Sequence, residues 1–548
     1  MAIRFLSYLF CLLCISQAVM AQRPAQDTAK QPEGKLIQVL SAARANYFTV
    51  DSAHKYTSLA DKVHVRQEKT DFYADSAIIN ELDNSLEAFG NIHINDADSV
   101  HTYSQYLKYL GREKKAFLKK KVRLTDGKGT LTTDELEYDV TLKIGTYVKG
   151  GKLVNKKTVL TSKEGYYYGD TRDVYFKQNV VLIDPEYKVV TDTLQYNTET
   201  EIATFTSPTI IYSDSGRRTV KTRDGYFDMK NKRGILHKRS VVEDSTYTFT
   251  ADDMAFDDST KLSEFRGNAV YRGKDTAKGF DMIANNIKTD RNKDVLLATQ
   301  NPILLIKQAK DTVYVAADTF YSARLSDLIK TREVPRIRDS ALEKRLLLDS
   351  SMAFADSSKN KYFEAYFHVR IFSDSMQAKG DSLFYSLEDS VFRLFKQPVL
   401  WAKENQVTGD TLYLYVKNNK PERLYSFENA MAVSKVDSTD YFNQLKGTTI
   451  NALFEDGEIH FMRVKGSAED VYYGQDEQNA FIGVNKSSSD VIDILFSENK
   501  PKRISFLRNY DGTMYPMHQV NHDELRIRGF KWLDAIRPKT KYDILGGL

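Results

Sequence analysis

The residues in this sequence whose type and spacing could do chemistry are two histidines, His518 and His522, and a series of aspartates, Asp134, Asp192, Asp252, Asp318, Asp381 and Asp410. Two histidines at i and i+4 could share a metal from one helix face, but that chemistry also needs flanking carboxylates, and none is arranged around this pair. The other histidines, of nine in all, are scattered. Acid–base catalysis would need carboxylates gathered in one place. These aspartates instead recur at regular intervals, which points to turn and strand-start chemistry in a repeated element. The sequence has no Gly-x-Ser-x-Gly elbow, no phosphate-cradling glycine loop and no His-Glu-x-x-His. No catalytic residue, no metal and no cofactor is expected, and the chain is read as not an enzyme.

The elements that would position these residues follow from two recurring signatures. The first is a small residue or Thr, then Asp, then apolar residues at every second position. It appears as ADSAII at 74–79, TDELEY at 133–138, TDTLQY at 191–196, ADDMAF at 251–256, ADTFYS at 317–322, GDSLFY at 380–385 and GDTLYL at 409–414. The second is a small or polar residue, then Asn or Pro, then alternating apolar residues, as in EAFGNIHI at 87–94, FKQNVVLI at 176–183 and EFRGNAVY at 264–271. Period two marks a strand with one buried face. Copies lie about thirty residues apart, within the range of structural repeats. With turn-like stretches such as DMKNKRG at 228–234 between them, each repeat is a two-strand unit, and roughly ten follow one another. A lone hairpin is marginal in water, so each unit must bury its apolar face against its neighbours.

Composition agrees. The chain has 548 residues with 33 Tyr and 29 Phe but only 11 Pro, and a net charge of +4. That profile favours strands, and the small charge gives no footprint for nucleic acid. The segment Met1–Ala21, with Arg4 ahead of a short apolar run and small residues at Val19 and Ala21, reads as a cleavable signal peptide. Both cysteines, Cys11 and Cys14, lie inside it, so the mature chain is expected to hold together without disulfides, as suits a bacterial periplasm. The expected organisation is a signal peptide at 1–21, a polar leader at 22–47, β repeats at 48–324, a partly helical insertion at 325–361 with its helix around Ser340–Leu348, further β repeats at 362–508, and a capping tail at 509–548.

The paired signatures, with AFGNIHI and EFRGNAVYR as their clearest copies, resemble the OstA-like family over about residues 48–460. That family includes the periplasmic lipopolysaccharide-transport protein A, its inner-membrane partner protein C and the amino-terminal domain of the outer-membrane protein D. The resemblance implies an all-β fold, an elongated antiparallel β-jellyroll in which a V-shaped sheet folds over an apolar interior. It implies that acyl chains of lipid A lie inside, that copies associate head to tail, and that other OstA-like components at the inner and outer membranes pair with the strand edges. The residues expected to face the lipid are Ile92, Ile94, Val180, Leu182, Ile211, Tyr271, Ile303, Leu305, Val399 and Trp401. The cationic run GREKKAFLKKK at 111–121 is read as a solvated strand flank rather than a phosphate site. Two other readings stand beside the lipid carrier: a structural or adhesive β-repeat scaffold without ligand, and a carbohydrate-active enzyme on a repetitive β scaffold.

Overall fold

The computed structural model describes residues 35–545, except 52–53, 275–278, 308–311, 335–360, 387, 418–419, 437–438, 477 and 499. The alternating segments form long strands of eleven or twelve residues, such as Ser85–Asp96, Lys115–Thr125 and Asp173–Ile183. The described strands are joined in one antiparallel sheet, and nearly every second long strand is broken at its middle. The pairing register shifts between Phe89 and Ile92, between Lys119 and Val122, and between Lys177 and Val180.

At these breaks the backbone enters the left-handed region, at Gly90, Lys120–Lys121 and Gln178–Asn179. The same geometry recurs at Asp61–Lys62, Lys238–Arg239, Gly267–Asn268, Gln300–Asn301, Phe367–His368, Lys396–Gln397, Glu428–Asn429 and Arg508–Asn509. A bulge of this kind bends a strand sharply. Aligned across the sheet, the bulges form a corner along which the whole sheet folds over, giving the elongated β-jellyroll. One wall holds strands such as Ile144–Tyr147, Glu164–Tyr168 and Asp224–Asp228. The other holds Gly151–Asn155, Thr158–Ser162 and Arg218–Thr222. The inner faces pack on each other in one core that runs from Leu59 to Ile494.

The corner also shows what the two sequence signatures are for. The aspartate of one strand accepts a hydrogen bond from the corner asparagine of its neighbour: Asn91 to Asp75 at 3.1 Å, Asn268 to Asp252 at 2.9 Å, Asn429 to Asp410 at 3.1 Å and Asn509 to Asp490 at 3.1 Å. Asp318 meets His368 at 2.8 Å and Asp381 meets Lys396 at 2.9 Å in the same way. The aspartates therefore stand at mid-strand corners, not at strand starts or turns as expected. Gly90, at φ +84°, is needed twice over, since a Cβ there would also collide with the Asp75 side chain.

Two segments cover the outside of the walls. The helix Leu325–Leu328 and residues 329–334 lie on the first wall over Ala323, Tyr362 and Phe384. The rest of the insertion, with the helix expected around Ser340–Leu348, lies outside the described residues. The tail beyond Tyr515 does not close the end of the sheet but runs back across the outer face of the second wall. Along it, Ile527 N donates to Gln444 at 2.9 Å, Leu533 N donates to Gln406 at 2.7 Å, Arg537 donates to Gln377 at 2.8 Å, and Arg370 donates to the Asp543 carbonyl at 3.1 Å. Ile544 then packs against Ile303 and Ala316. Strands also reach past the expected boundaries, with Gln38–Ser41 inside the leader, Arg44–Asp51 beginning within it and Asp511–Tyr515 inside the tail.

Candidate lipid-binding site

Six of the ten residues expected to face a lipid line the interior. Ile92, Ile94, Val180, Leu182 and Ile211 belong to the main core, and Tyr271 packs against it half-buried. The other four do not. Ile303 and Leu305 point outward into a separate cluster with Ala316 and Ile544, while Leu304 and Ile306 face the core. Likewise Leu400 faces the core. Trp401 instead donates to Gln406 at 3.3 Å, the residue whose amide also donates to the Lys531 carbonyl of the tail. Val399, two residues from Trp401 on the same strand, shares its face.

The reason is one residue of register. At Gln300–Asn301 and Lys396–Gln397 the corner is complete before the proline, so Pro302 and Pro398 take the first inward position. Counting from the proline shifts the phase by one and flips every side chain to the other face.

Inside the closed first half, Ile94, Val180 and Leu182 have no measurable exposure. What closes it is a row of side chains along the free rim of the first wall. Tyr109, Tyr138, Tyr167 and Tyr196 alternate across the strands with Ala116, Gly145 and Val174. Small residues between the rings let them lie side by side without voids. The hydroxyls of Tyr109 and Tyr138 reach the rim of the second wall, while those of Tyr167 and Tyr196 are buried without a hydrogen-bond partner among the described residues. Tyr138 donates to Asp96 at 2.8 Å, and Tyr109 donates to Gln67, whose amide donates to the Gly111 carbonyl at 3.0 Å. Further along, Asn155 donates to the Thr198 carbonyl at 2.7 Å and Thr198 donates to Asp126 at 2.9 Å. Burial, with the negative charge of Asp96 beside them, holds the Tyr109 and Tyr138 hydroxyls well above the usual phenol range. They stay neutral donors at any physiological pH. The cationic run takes part at its start, where Lys114 pairs across the seam with Glu68 at 2.9 Å.

The same row continues past Tyr196 through Ala203 to Phe227, Gly234, Phe256, Ser263 and Thr289. Phe227 and Phe256 have no hydroxyl to offer. The last hydroxyl rung is Tyr187, donating to Asp258 at 2.7 Å. Beyond it the seam parts around a cavity of about 590 Å³, within the roughly 300–1,000 Å³ typical of ligand pockets.

The floor of this cavity is aromatic. Phe249 stacks on Phe265 at 4.0 Å, Tyr271 lies 5.0 Å from both Phe249 and Phe280, and Tyr247 lies 5.6 Å from Tyr271. Burial pushes the Tyr271 hydroxyl up to about 12. The mouth is charged, with Arg218, Arg291, Arg324 and Lys361 set against Asp290 and Asp294. Lys361 bonds Asp294 at 2.8 Å and Arg324 approaches it at 3.6 Å. Burial works to raise the Asp258 carboxyl, and the Tyr187 hydrogen bond with the charges of Arg291 and Arg218 outweighs it, holding the carboxyl below its usual range. An apolar trough with a cationic rim can take an amphiphile whose chain goes inside and whose anionic head stays at the rim.

The sequence reading named Tyr271 of this site and missed the rest. The available signal was a tyrosine every 29 residues, at 109, 138, 167 and 196, giving way to phenylalanine. Among the described residues no group of His, Cys, Asp and Glu is placed to hold a metal. His522 instead packs in the tail, with Nδ1 3.1 Å from the Tyr473 hydroxyl and Nε2 3.0 Å from the Met517 carbonyl. No helix among the described residues is long and apolar enough to cross a membrane.

A comparison with curated proteins finds no match to the chain. Residues 36–192 match the family model described as OstA-like protein. That stretch begins just before the first strand and takes in the corners from Asp61 to Asn179 together with most of the tyrosine row. Residues 36–192 are thus an OstA-like region, and the corner geometry they establish recurs as far as Asn509.

Proposed function

We propose that the chain is an exported carrier of lipopolysaccharide, holding the acyl chains of lipid A in the interior of the β-jellyroll and helping to pass them toward the outer membrane. The observation that carries this reading is the parted seam, an aromatic cavity inside an apolar core whose lining includes four cations and two aspartates. Burying one CH₂ contributes about 0.8 kcal/mol, so a chain of about a dozen carbons gains on the order of 10 kcal/mol. Each exposed charge pair adds only about 0–1 kcal/mol. Apolar lining therefore sets affinity and the cations orient the head. The OstA-like region supports the same reading, since that family serves binding and transport rather than catalysis. The segment read as a signal peptide directs the chain to the periplasm.

Partners fit the two ends of the sheet. Arg44–Asp51 is an exposed edge strand carrying Tyr47 and Val50, and at the other end Lys500–Leu507 and Asp511–Tyr515 are edges with Leu507 and Met514 exposed. Unpaired edges accept another strand, which suits other OstA-like components or head-to-tail copies. A second reading, a scaffold without ligand, draws on the closed core around Leu182. Mass spectrometry of lipid extracted from gently purified protein separates them: stoichiometric lipopolysaccharide or lipid A supports the carrier, and lipid-free protein that ignores added lipopolysaccharide supports the scaffold.

A further inference from the structure

The interior changes character at its carboxy-terminal end. Along the second wall the inward positions as far as Ala432 and Leu445 are apolar residues interspersed with single hydroxyls such as Thr102 and Thr191, and among the described residues no inward carboxylate or amide lies within the packed faces. In the last strands they become Asp470 and Tyr472 on Glu458–Gln475, then Asn485, Ser487 and Ser489 on Phe481–Ser497. Their orientation follows from register. Ala468 packs in the main core opposite Ser489, and Asp470 and Tyr472 stand opposite Ser487 and Asn485 on that same face. The alternate residues Val471, Tyr473 and Val484 face outward under the tail. The facing wall stays apolar, with Met462, Val464, Ile492 and Ile494 in the core. Asp470 is only 2% exposed. Among the described residues its carboxyl accepts one hydrogen bond, from Asn485 at a long 3.4 Å, while Asn485 donates to Ser487 at 2.6 Å. A carboxyl kept in an apolar interior with so little compensation costs stability, and such sites mark function more often than packing. This end is also where the interior opens, since the inward Ile504 and Phe506 of the last strand are half-buried.

We infer that Asp470, Tyr472, Asn485 and Ser487 form a polar station at the carboxy-terminal outlet of the trough, which recognises a hydroxyl or amide group carried on the lipid chain itself. The inference rests on the lipid-carrier reading and names which lipids that carrier favours. One wall grips the hydrocarbon and the other supplies donors and acceptors that a plain chain leaves unmet. A site with buried polar groups rejects a ligand lacking the matching group, because those groups are then left unpaired.

The test is displacement of a fluorescent fatty acid from the mature chain by two competitors of equal length, one bearing a hydroxyl near its head and one unsubstituted. The wild-type chain should favour the hydroxylated competitor by about tenfold, the equivalent of one or two good hydrogen bonds. Asp470→Leu should bring the two within about twofold while the unsubstituted competitor binds as before or better. Asn485→Leu gives the same test should the first variant not fold. Equal binding of both competitors to the wild-type chain, or preference that survives both substitutions, overturns the polar station and leaves the carrier standing. Failure of both competitors to bind the wild-type chain overturns the carrier and the polar station together.

Discussion

Between Tyr109 and Tyr196 the rims of the two walls are joined by hydrogen bonds around an interior with no exposed side chains, whereas between Arg218 and Lys361 they part around an aromatic cavity. The backbone plan is the same in both regions, with corners near every thirtieth residue. The difference is made by side chains at equivalent positions, tyrosine in one and phenylalanine in the other, so that hydroxyl rungs such as Tyr138 to Asp96 cross the first seam and Phe227 and Phe256 offer none in the second. One fold therefore supplies a latched segment and an open one, and the location of the opening is a matter of single oxygen atoms.

Truncation inside the two regions gives the largest expected contrast. Leu182→Ala in the latched segment should lower stability by about 2–5 kcal/mol, because its surroundings cannot collapse around the lost volume. Phe280→Ala at the cavity should cost clearly less, about 1–2 kcal/mol, since empty space already adjoins it. Chemical denaturation of both variants measures the difference, and equal costs would mean that the cavity is not a functional gap.

The carboxy-terminal outlet sharpens the comparison through pH. Burial raises the Asp470 carboxyl to about 7, with the Asn485 hydrogen bond opposing only in part. Between its unfolded value near 4 and about 7, the folded chain binds more protons than the unfolded one, so this residue makes stability fall as pH rises. Asp470→Asn should remove that slope and exceed the wild-type stability at pH 8 by as much as roughly 3–4 kcal/mol. Below pH 4 the two should converge. Unfolding curves at pH 4 and pH 8 check both statements.

The rungs come next. Tyr138→Phe removes one hydrogen bond to a carboxylate and should cost about 1–2 kcal/mol, with faster capture of lipid as the seam loosens. The smallest effect belongs to the mouth. Arg324→Ala and Lys361→Ala should each weaken binding of an anionic amphiphile by only a few-fold, and the loss should vanish in 0.5 M salt. A larger loss that persists in high salt would show that the cations do more than orient the head.

Much of this molecule was legible in its sequence. The alternation gave the strands and the thirty-residue period gave the array, because one buried face per strand leaves a period-two trace. The aspartate and asparagine signatures were visible as well, but their meeting at a corner was not, since they lie on different strands and pair across the sheet. The inward face was read correctly where alternation is strict, as at Ile92 and Val180, and wrongly at Ile303, Leu305, Val399 and Trp401. There the runs PILLI and PVLWA are apolar on every residue, the mark of a strand covered on both faces. The cover is the tail, some 130 to 240 residues further along the chain, and nothing local announces it. The seam cavity was missed for the related reason that it is defined by what the tyrosine row stops doing.

The central claim is that lipid occupies the interior through the parted seam. Photo-crosslinking tests it most directly, with a photoreactive phenylalanine placed in turn at Phe280 in the cavity, at Tyr138 in the latched rim and at exposed Tyr175 on the outer face, each exposed to labelled lipopolysaccharide. The account predicts strong labelling at Phe280, weak labelling at Tyr138 and none at Tyr175. Labelling at Phe280 no stronger than at Tyr175 would contradict it.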